Sequence, residues 1–472
     1  MKLPQAFPQK NKPEVDRLLQ EAVLRSNLKI VALDDDSTGV QAVHHVPVYT
    51  DWSPESLRAG FAETSPLFFV LTNSRAMTRA QTARAHREII RNITQTAAEL
   101  RREFLIVSRS DSTLRGHYPL ETELLREGLE AHFQEAVDGE IFCPYFREGG
   151  RYTLDNVHYV ADGDTLVPAA ETEYAKDRTF GYAHSDLREY VEEKTRGAYR
   201  AKDVQSVSLQ ELRALDFDGI TAKLCALRGF GKLIVNAADD YDLKVFCVAL
   251  YSALAKGKRF CCRTAASFVK IVANIADWPP LAYGDMIPED TRRGGIVLVG
   301  SHTQKTTAQL FELLTLSQAE AVELDSDLVL TPGALEAETE RVIGVCDGLI
   351  AVGTTPVVFT KRTALILPGD TPETALERSV RISQAVQAVV AGLSAPPAFI
   401  VAKGGITASD IATKALRVRR AEVLGQISPG VPVWKTGAES RFPGIPYVIF
   451  PGNVGQTETL REIAQVLLRG KA

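Results

Sequence analysis

The 472-residue sequence predicts an α/β fold with two domains, each built on a mostly parallel sheet flanked by helices. One reason is repetition, because near the N-terminus three successive segments each read as a buried apolar strand, then a polar loop, then a helix. A second reason is that the alternation resumes after residue 295, with glycine turns after the strands. The third is length, because 472 residues exceed what one ordinary hydrophobic core accommodates.

Breaks in this alternation divide the chain. Residues 1–27 read as an N-terminal extension with a short amphipathic helix, and residues 28–278 as the first domain. The segment 279–294 carries prolines and charges without periodicity, which is typical of a linker, and residues 295–472 form the second domain. Ligands of open parallel sheets bind beyond the carboxyl ends of the strands, and we expect the active site in the cleft between the two domains.

The charge, hydropathy and cysteine content of the chain argue against several classes of protein. The net charge is −5, from 54 basic and 59 acidic side chains, and no polybasic run occurs, which argues against a nucleic-acid partner. No apolar stretch nears the roughly 18 residues of a membrane span, and no signal-peptide pattern opens the chain. The six cysteines form no CxxC pair and share no ligand spacing with the eight histidines, so we expect buried thiols in a reducing compartment rather than a zinc site. The sequence therefore predicts a cytoplasmic protein without membrane contact.

The first strand, residues 28–33, ends in three consecutive carboxylates, Asp34, Asp35 and Asp36, followed by Ser-Thr-Gly. Adjacent carboxylates repel one another, which separates their pKa values unless a cation or a proton intervenes. The alternative is a helix N-cap with acidic residues favoured by the helix dipole, which is the usual role of a single aspartate at such a position. Three carboxylates in a row favour a functional role.

The second and third strands end in polar loops as well. Residues 67–71 lead into Thr-Asn-Ser-Arg and a long helix over about 78–102. Residues 104–107 lead into a loop with two arginines, one carboxylate and four hydroxyl groups. Guanidinium groups bind a carboxylate in pairs of hydrogen bonds, and aspartate and serine bind hydroxyls, so this loop suits a small polyhydroxylated acid. A solvated loop with a helix cap at Ser112 or Thr113 is the alternative.

These loops supply two groups of candidate residues. The candidate catalytic carboxylates are Asp35, Asp36 and Asp111. The candidate substrate-binding residues are Ser74, Arg75, Arg109, Ser112, Thr113 and Arg115.

The rest of the first domain continues the alternation after an interruption. A strand is predicted over 138–145, and residues 151–200 read as hairpin and loops. The later predicted elements are strand 203–208, helix 209–228, strand 232–236, helix 241–256 and a strand that turns into a helix over 259–276.

Glycine turns mark the second domain. A strand from residue 296 runs into Gly-Ser and a helix over about 304–316, and a helix over 372–392 and a strand over 397–402 follow. Paired glycines between a strand and a helix let a ligand approach backbone N–H groups, which makes a ready anion site. A single Gly-Gly is more often a tight turn, but four glycine turns in one domain favour nucleotide binding. The candidate nucleotide-binding residues are Gly300, Ser301, Gly404, Gly405, Ile406, Thr407, Gly430, Gly452 and Asn453.

These motifs, in this order, resemble the four-carbon acid sugar kinase family, long catalogued as a domain of unknown function, from about residue 28 onward. The N-terminal marks of that family are Asp-Asp-Leu-Thr-Gly, Thr-Glu-Ser-Arg and Asp-Ser-Thr-Leu-Arg-Gly, matched at 35–39, 72–75 and, in full, 111–116. The C-terminal marks are Gly-Ser with a nearby Thr and Gln, Gly-Gly-x-Thr, Pro-Gly-Val-Pro and Lys-x-Gly-Asn-Phe-Gly, matched at 300–309, 404–407, 429–432 and, approximately, 450–455.

The chain departs from the family pattern at four positions. Ser37 replaces a leucine, Asn73 a glutamate and Val454 a phenylalanine, and Phe450 stands where the last motif has its lysine. Because Ser37 and Asn73 lie on the loops expected to hold the substrate, these departures leave the choice of substrate open.

The resemblance implies an ATP-dependent kinase that phosphorylates a hydroxyl group of a short sugar acid, such as threonate, erythronate, a 3-oxo derivative or a branched oxo acid. It implies an N-terminal substrate domain and a C-terminal nucleotide domain, with a sugar acid and ATP or ADP as ligands; a homodimer stays open. Mg²⁺ is expected because it accompanies nearly all phosphoryl transfer from ATP, although the sequence indicates no metal ligands. In this interpretation the three loop arginines could bind the substrate carboxylate, and Asp36 is slightly favoured as the base.

Two other classes of function fit parts of the pattern. A non-catalytic binding or regulatory protein that senses a sugar acid between two lobes explains the crevice but not the second set of glycine turns. An oxidoreductase with a dinucleotide site is disfavoured because no G-x-G-x-x-G occurs. The P-loop pattern G-x-x-x-x-G-K-S/T is also absent, so the phosphates of ATP are expected on the glycine turns.

Overall fold

The computed structural model describes residues 9–300, 302–363, 365, 367–452 and 454–468. Its chain divides into two compact units, Met1–Asp277 and Trp278–Ala472, and both are α/β, which confirms the predicted fold class. The segment 279–294, predicted as a linker, contains a helix, and its Met286 and Ile287 belong to the hydrophobic core of the second unit.

The first unit alternates strands and helices along most of its length. Its helices are α1 (Lys12–Ser26), α2 (Pro54–Ala62), α3 (Arg79–Leu100), α4 (Leu120–Phe133), α5 (Leu187–Lys194), α6 (Leu209–Ala214), α7 (Phe217–Ala226), α8 (Asp240–Ala255) and α9 (Ala266–Val272). Its strands are β1 (Lys29–Asp34), β2 (Val46–Tyr49), β3 (Leu67–Leu71), β4 (Phe104–Arg109), β5 (Gly139–Cys143), β6 (Arg151–Leu154), β7 (Val157–Asp162), β8 (Thr165–Pro168), β9 (Gln205–Val207), β10 (Gly231–Val235) and β11 (Phe260–Thr264).

The main sheet of the first unit is parallel, in the order β2-β3-β1-β4-β11-β5-β10-β9. The central strands β1, β3, β4, β5 and β11 are buried along their whole length, as expected when helices cover both faces of a parallel sheet. Parallel strands bring their carboxyl ends to one edge, so the polar loops after β1, β3 and β4 lie side by side.

Residues 151–200, predicted as hairpin and loops, form a small antiparallel sheet of β6, β7 and β8, followed by α5. Aromatic side chains of this segment pack on the main sheet, where Tyr182 and Tyr190 share a buried cluster with Leu114 and Phe142. The segment therefore covers the main sheet beside the loop that follows β4.

The helix predicted over 209–228 is two helices, α6 and α7. Leu215 ends α6 with a φ of 59°, and the Asp216 side chain accepts a hydrogen bond from the Gly219 N–H where α7 begins. An aspartate N-cap within the predicted helix is therefore the reason for the break.

The second unit begins with a short helix and then alternates. Its helices are α10 (Tyr283–Met286), α11 (Gln304–Leu313), α12 (Ala334–Ala351), α13 (Pro372–Gly392), α14 (Gly405–Asp410), extended by a π-helical turn at Ile411–Ala415, and α15 (Thr459–Leu468). Its strands are β12 (Ile296–Val299), β13 (Ala319–Leu324), β14 (Thr355–Thr360), β15 (Ile400–Lys403), β16 (Arg420–Ser428), β17 (Val431–Thr436) and β18 (Pro446–Phe450).

The strands of the second unit lie in the order β13-β14-β12-β15-β18-β17-β16. The first five are parallel, and β17 runs antiparallel to both β18 and β16. Because β16 consequently ends at the same edge as β18, the turn between β16 and β17 lies with the other glycine turns. The sequence gives no continuous apolar run for β13, since half of its residues are exposed, and this strand was not predicted.

No helix among the described residues is long and apolar enough to span a membrane. All six cysteines are free thiols; Cys225 is partly exposed and the other five are buried. Burial raises the pKa of Cys143 to about 12, so this thiol stays protonated and unreactive at neutral pH.

Candidate functional site

The loops after β1, β3 and β4 meet at the carboxyl edge of the sheet in the first unit. Asp34 pairs in register with Leu71 on one side and with Arg109 on the other. Backbone bonds extend this pairing past the strand ends: the Thr72 N–H donates to the Asp34 carbonyl at 2.8 Å, and the Asp35 N–H donates to the Arg109 carbonyl at 3.2 Å. Adjacent strands lie about 4.8 Å apart, so side chains on these loops reach one another.

Arg75 joins three carboxylates of this site. Its Nη2 lies 2.5 Å from Asp35 Oδ1, and its Nε lies 3.2 Å from Asp35 Oδ2. Its Nη1 lies 3.2 Å from Asp36 Oδ2 and 3.8 Å from Asp111 Oδ1. A bidentate pair restrains both partners, so Arg75 sets the orientation of Asp35.

Asp34, the first carboxylate of the triplet, is buried with Arg109. Arg109 Nη1 lies 3.2 Å from Asp34 Oδ1 and 3.6 Å from Asp35 Oδ1. The Gly39 backbone packs against the Asp34 carboxylate so closely that a Cβ atom on Gly39 would overlap the carboxylate. Asp34 and Arg109 therefore form a buried hydrogen-bonded pair beneath the loops.

Arg115 is the arginine of this site that a ligand reaches most easily. Its Nε lies 2.8 Å from Asp111 Oδ2, and its guanidinium lies over the Tyr174 ring at 5.1 Å. Thr113 Oγ1 donates to the same Asp111 oxygen. The Arg115 side chain is 24% exposed, against 19% for Arg75 and 4% for Arg109.

Burial and neighbouring charges separate the pKa values of the carboxylates. Burial raises the pKa of Asp34 to about 7, against the opposing effect of the adjacent guanidinium. Burial also raises the pKa of Asp35, although Arg75 opposes the rise. Burial acts in the same direction on Asp111, but Arg75 and Arg115 together outweigh it and hold the pKa of that carboxyl well below its usual range. Asp111 is therefore ionised at neutral pH and is a weak proton acceptor.

Two of the three candidate hydroxyl groups, those of Ser74 and Thr113, bind partners within the protein. Ser74 is buried, and its Oγ donates to Glu121 Oε1 at 2.5 Å. Thr113 is buried and bonded to Asp111, while Ser112 lies at 9% exposure. Glu121 was not predicted, because an acidic residue in the first turn of a helix is commonplace and carries no local signal of a site.

Four buried side chains, none of them predicted, bind consecutive backbone carbonyls of the loop after β4. His158 donates to the Ser112 carbonyl at 2.8 Å, and Tyr182 donates to the Thr113 carbonyl at 2.8 Å. Tyr190 donates to the Leu114 carbonyl at 2.7 Å, and Arg263 donates to the Arg115 carbonyl at 3.4 Å. Burial lowers the pKa of His158 to about 4, so a neutral imidazole donates its Nε2–H to the Ser112 carbonyl. Three of the four come from residues 151–200, whose irregular sequence gave no motif. This segment holds the candidate loop in shape.

A second group of polar side chains follows β5, β10 and β11 at the same edge of the sheet. Tyr145 OH, Glu148 Oε2 and Asp240 Oδ1 are buried and have no hydrogen-bond partner among the described residues. Lys270 Nζ lies 3.4 Å from Asp240 Oδ2, and Arg147 Nη1 lies 3.7 Å from the same oxygen. Buried polar atoms without protein partners are normally satisfied by water or a ligand, so these oxygens are further candidates for contact with ligand hydroxyls.

In the second unit, three candidate residues come together where β12 and β15 end. A Cβ atom on Gly300 would lie 2.9 Å from Thr407 Oγ1, and one on Gly404 would lie 3.6 Å from it. Gly404 has a φ of 117°, a conformation that favours glycine. Gly405 begins α14 directly after it, so this segment has the predicted order of strand, Gly-Gly and helix.

The turn after β18 lies beside this group. The Gly404 N–H donates to the Phe450 carbonyl at 2.8 Å. Lys403 Nζ donates to the carbonyls of Pro451 at 2.7 Å and Gly452 at 3.3 Å. The two glycine turns are thus joined by a backbone bond and by a buried lysine that was not predicted as a site residue.

Two further elements border the turn after β18. Gln309 from α11 donates through Nε2 to the carbonyls of Val454 at 3.2 Å and Gln456 at 2.8 Å. A Cβ atom on Gly430, in the turn between β16 and β17, would lie 3.4 Å from Val454. The candidate residues at the ends of β12, β15, β16 and β18 therefore occupy one edge of this sheet.

Two of the candidate nucleotide-binding residues, Ser301 and Asn453, lie outside the described residues. Ile406 lies in the first turn of α14. In the part of the chain that the structure describes, no three His, Cys, Asp or Glu side chains converge as a metal site.

Family models match both units. The model of a sugar-binding N-terminal domain matches residues 30–272, and the model of a nucleotide-binding C-terminal domain matches residues 296–460. The aspartate and arginine cluster lies within the first match, and the glycine turns lie within the second. A search of curated proteins found no match.

Three solved structures resemble the chain at low sequence identity. The Haemophilus influenzae protein HI1011, from a family of unknown function, has 17% identity and a TM-score of 0.59, over 93% of this chain and 99% of its own. A Salmonella typhimurium LT2 protein described provisionally as a tRNA synthase has 16% identity and a TM-score of 0.62, over 93% of this chain and 98% of its own. A domain-swapped Bordetella bronchiseptica dimer with bound citrate has 19% identity and a TM-score of 0.39, over 93% of this chain and 98% of its own. The first two likenesses show the fold.

Proposed function

Because this chain belongs to the four-carbon acid sugar kinase family, we propose that it is an ATP-dependent kinase that phosphorylates a hydroxyl group of a short sugar acid, such as threonate, erythronate or a 3-oxo derivative. One observation carries the proposal: a sugar-binding domain with clustered aspartates and arginines at one edge of its sheet is joined, in one chain, to a nucleotide-binding domain. A kinase needs both ligands, whereas a sugar-acid sensor needs only one.

Asp36 is the base in this proposal. Its side chain is 20% exposed, against 4% for Asp35, so it is the member of the triplet that a substrate reaches. Its Oδ1 accepts the Thr38 N–H at 2.8 Å, which orients the carboxylate. As the substrate oxygen bonds to the γ-phosphorus and the bond to the ADP oxygen breaks, the hydroxyl proton passes to the Asp36 carboxylate.

Arg115 binds the substrate carboxylate in this proposal. It has the most exposed side chain of the three arginines, and a guanidinium matches the geometry of a carboxylate. Arg75 and Arg109 act instead as positioning residues, because each contacts at least two aspartates and is more buried than Arg115, which pairs with Asp111. Asp111, held ionised by its two arginines, accepts a hydrogen bond from a second substrate hydroxyl.

ATP binds the glycine turns of the second unit in this proposal, because a glycine has no side chain to block the approach of a phosphate to the backbone. Mg²⁺ is generally held by substrate phosphates and by few protein ligands, and so it needs no cage of carboxylates. When bound with ATP it would neutralise charge on the phosphates during transfer.

The experiment is to incubate the protein with ATP, Mg²⁺ and each of a panel of four-carbon sugar acids, and to measure ADP. A kinase releases ADP only when one of the acids is present. A sensor binds an acid, seen as a rise in melting temperature, without releasing ADP. ADP release that no acid stimulates would contradict the proposal.

A further inference from the structure

Lys403 is the last residue of β15, and its ammonium group is fully buried. Its Nζ lies 2.7 Å from the Pro451 carbonyl, 3.3 Å from the Gly452 carbonyl and 3.8 Å from the centre of the Phe450 ring. Within the described residues no carboxylate forms an ion pair with it. Lys232, another buried lysine, differs because its Nζ lies 2.6 Å from Glu140 Oε2.

The strand register places Lys403 beside the turn that follows β18. It is the direct partner of Phe450 across the β15–β18 pair. Position 450 is where the family motif carries a lysine and this chain does not. The ammonium group thus reaches the turn after β18 from the neighbouring strand.

The contacts of Lys403 orient the peptide groups of that turn. In a trans peptide the carbonyl and the N–H point in opposite directions. The Pro451 carbonyl and the Gly452 N–H belong to the same peptide group. Because the carbonyl points toward Lys403, the Gly452 N–H points away from Lys403. A Cβ atom on Gly452 would meet no atom within 4 Å, so there is space for a ligand beside this residue.

We propose that Lys403 is a positioning residue for the nucleotide: it holds the Pro451 and Gly452 carbonyls inward, and the Gly452 N–H thereby faces outward as a donor to a phosphate group. The positive charge beneath the turn adds to the attraction for the anion. Burial, with the neighbouring Lys305, lowers the pKa of Lys403 to about 7, and a bound polyphosphate would favour its charged form. The identity of the nucleotide as ADP or ATP rests on the proposed function.

The test compares Lys403→Met with Lys29→Met, each titrated calorimetrically with ADP and with adenosine. Lys29 is a matched control, because it is also buried and its Nζ donates to two carbonyls, of Glu63 and Ser65, at 2.6 Å each. It begins β1, in the unit that does not carry the glycine turns. Both substitutions remove a buried ammonium group and should lower the free energy of unfolding.

Lys403→Met should weaken ADP binding about tenfold or more, the cost of a lost charge-assisted contact, and leave adenosine binding unchanged. Lys29→Met should leave both affinities unchanged. Equal ADP affinity in Lys403→Met and wild type would overturn the proposal, as would an equal loss for ADP and adenosine. If wild type binds no ADP, the proposed function itself fails, which is a different result.

A second variant keeps the test independent of folding. Gly452→Val places its side chain in open space, so the fold is retained while the approach of a phosphate is blocked. Gly344→Val is its control, because that glycine also has open space, in α12. Gly452→Val should lose ADP affinity by about tenfold and Gly344→Val should not. An unchanged ADP affinity in Gly452→Val would overturn the proposal.

Discussion

Arg75 holds Asp35 at two points, with Nη2 2.5 Å from Oδ1 and Nε 3.2 Å from Oδ2. It meets Asp36 at one point, through Nη1 at 3.2 Å from Oδ2. Asp35 is shielded from a substrate hydroxyl, because one guanidinium holds both of its oxygens and its side chain is 4% exposed, against 20% for Asp36. The pair therefore gives Asp35 an orienting role and leaves Asp36 as the candidate base.

Asp36→Asn should lower kcat by about 10²- to 10⁴-fold, the usual contribution of a general base, with little change in the KM for the acid. The measurement is steady-state kinetics at saturating ATP. Asp111→Asn should lower kcat less, because the ionised Asp111 orients a hydroxyl and does not take its proton. A near-normal kcat in Asp36→Asn contradicts this assignment, and a near-normal kcat in both variants contradicts the site.

Arg115→Lys should raise the KM for the acid by roughly 10- to 100-fold and change kcat little, because lysine cannot form the two-point contact with a carboxylate. Arg188→Lys is the matched control. Arg188 makes a similar two-point pair with Asp186, at 2.7 and 3.1 Å, outside the candidate site. A KM that rises equally in both variants, or in neither, would refute the role given to Arg115.

Tyr190→Phe tests whether the segment 151–200 holds the loop after β4 in the conformation that the reaction needs. Tyr190 OH donates to the Leu114 carbonyl at 2.7 Å, and Tyr251 OH donates at the same distance to the Val272 carbonyl, away from the loop. Each substitution to phenylalanine should cost about 1 kcal/mol in the free energy of unfolding. Only Tyr190→Phe should also lower kcat/KM, by a few-fold. Equal catalytic efficiency in both variants would show that this bond only stabilises the fold.

Asp34 should make stability fall as pH rises toward neutrality. Burial raises its pKa from 3.8 to about 7, so between these values the folded protein keeps a proton that the unfolded chain has lost. The free energy of unfolding therefore decreases as pH rises through this window, by about 2 kcal/mol from pH 5.5 to 7.5 for this one group. Urea denaturation at both pH values measures this decrease in the free energy of unfolding. In Asp34→Asn the decrease should be smaller than in wild type by about 2 kcal/mol. An equal loss in wild type and variant would contradict the raised pKa.

Much of the candidate site could be predicted because its residues are sequential. Asp35 and Asp36 follow one apolar run closely, and Asp111 lies in the polar loop that follows another. Parallel strands bring such positions to one edge by geometry alone. The strand–Gly-Gly–helix pattern around Gly404 was predicted for the same reason. Local patterns of apolar period and glycine turns therefore suffice where a site is built from strand ends.

The supporting residues could not be predicted in this way. His158 and Arg263 bind loop carbonyls across 46 and 148 residues of sequence, and Lys403 contacts a turn 48 residues away. Their partners are backbone atoms, which have no residue type to signal the contact. Lys403 in particular ends an apolar strand, where a buried charge is unexpected, and only the register of β15 with β18 shows what it holds.

The most direct test of the proposed kinase activity is to follow the labelled γ-phosphoryl group of ATP to the acid itself. The protein, Mg²⁺ and ATP with a radiolabelled γ-phosphate are incubated with the acid that stimulates ADP release, and the products are separated by chromatography and weighed by mass spectrometry. Label should appear in a phosphorylated sugar acid in equal amount to ADP, and Asp36→Asn should suppress both. Label found only in inorganic phosphate, with the acid unchanged, would contradict it.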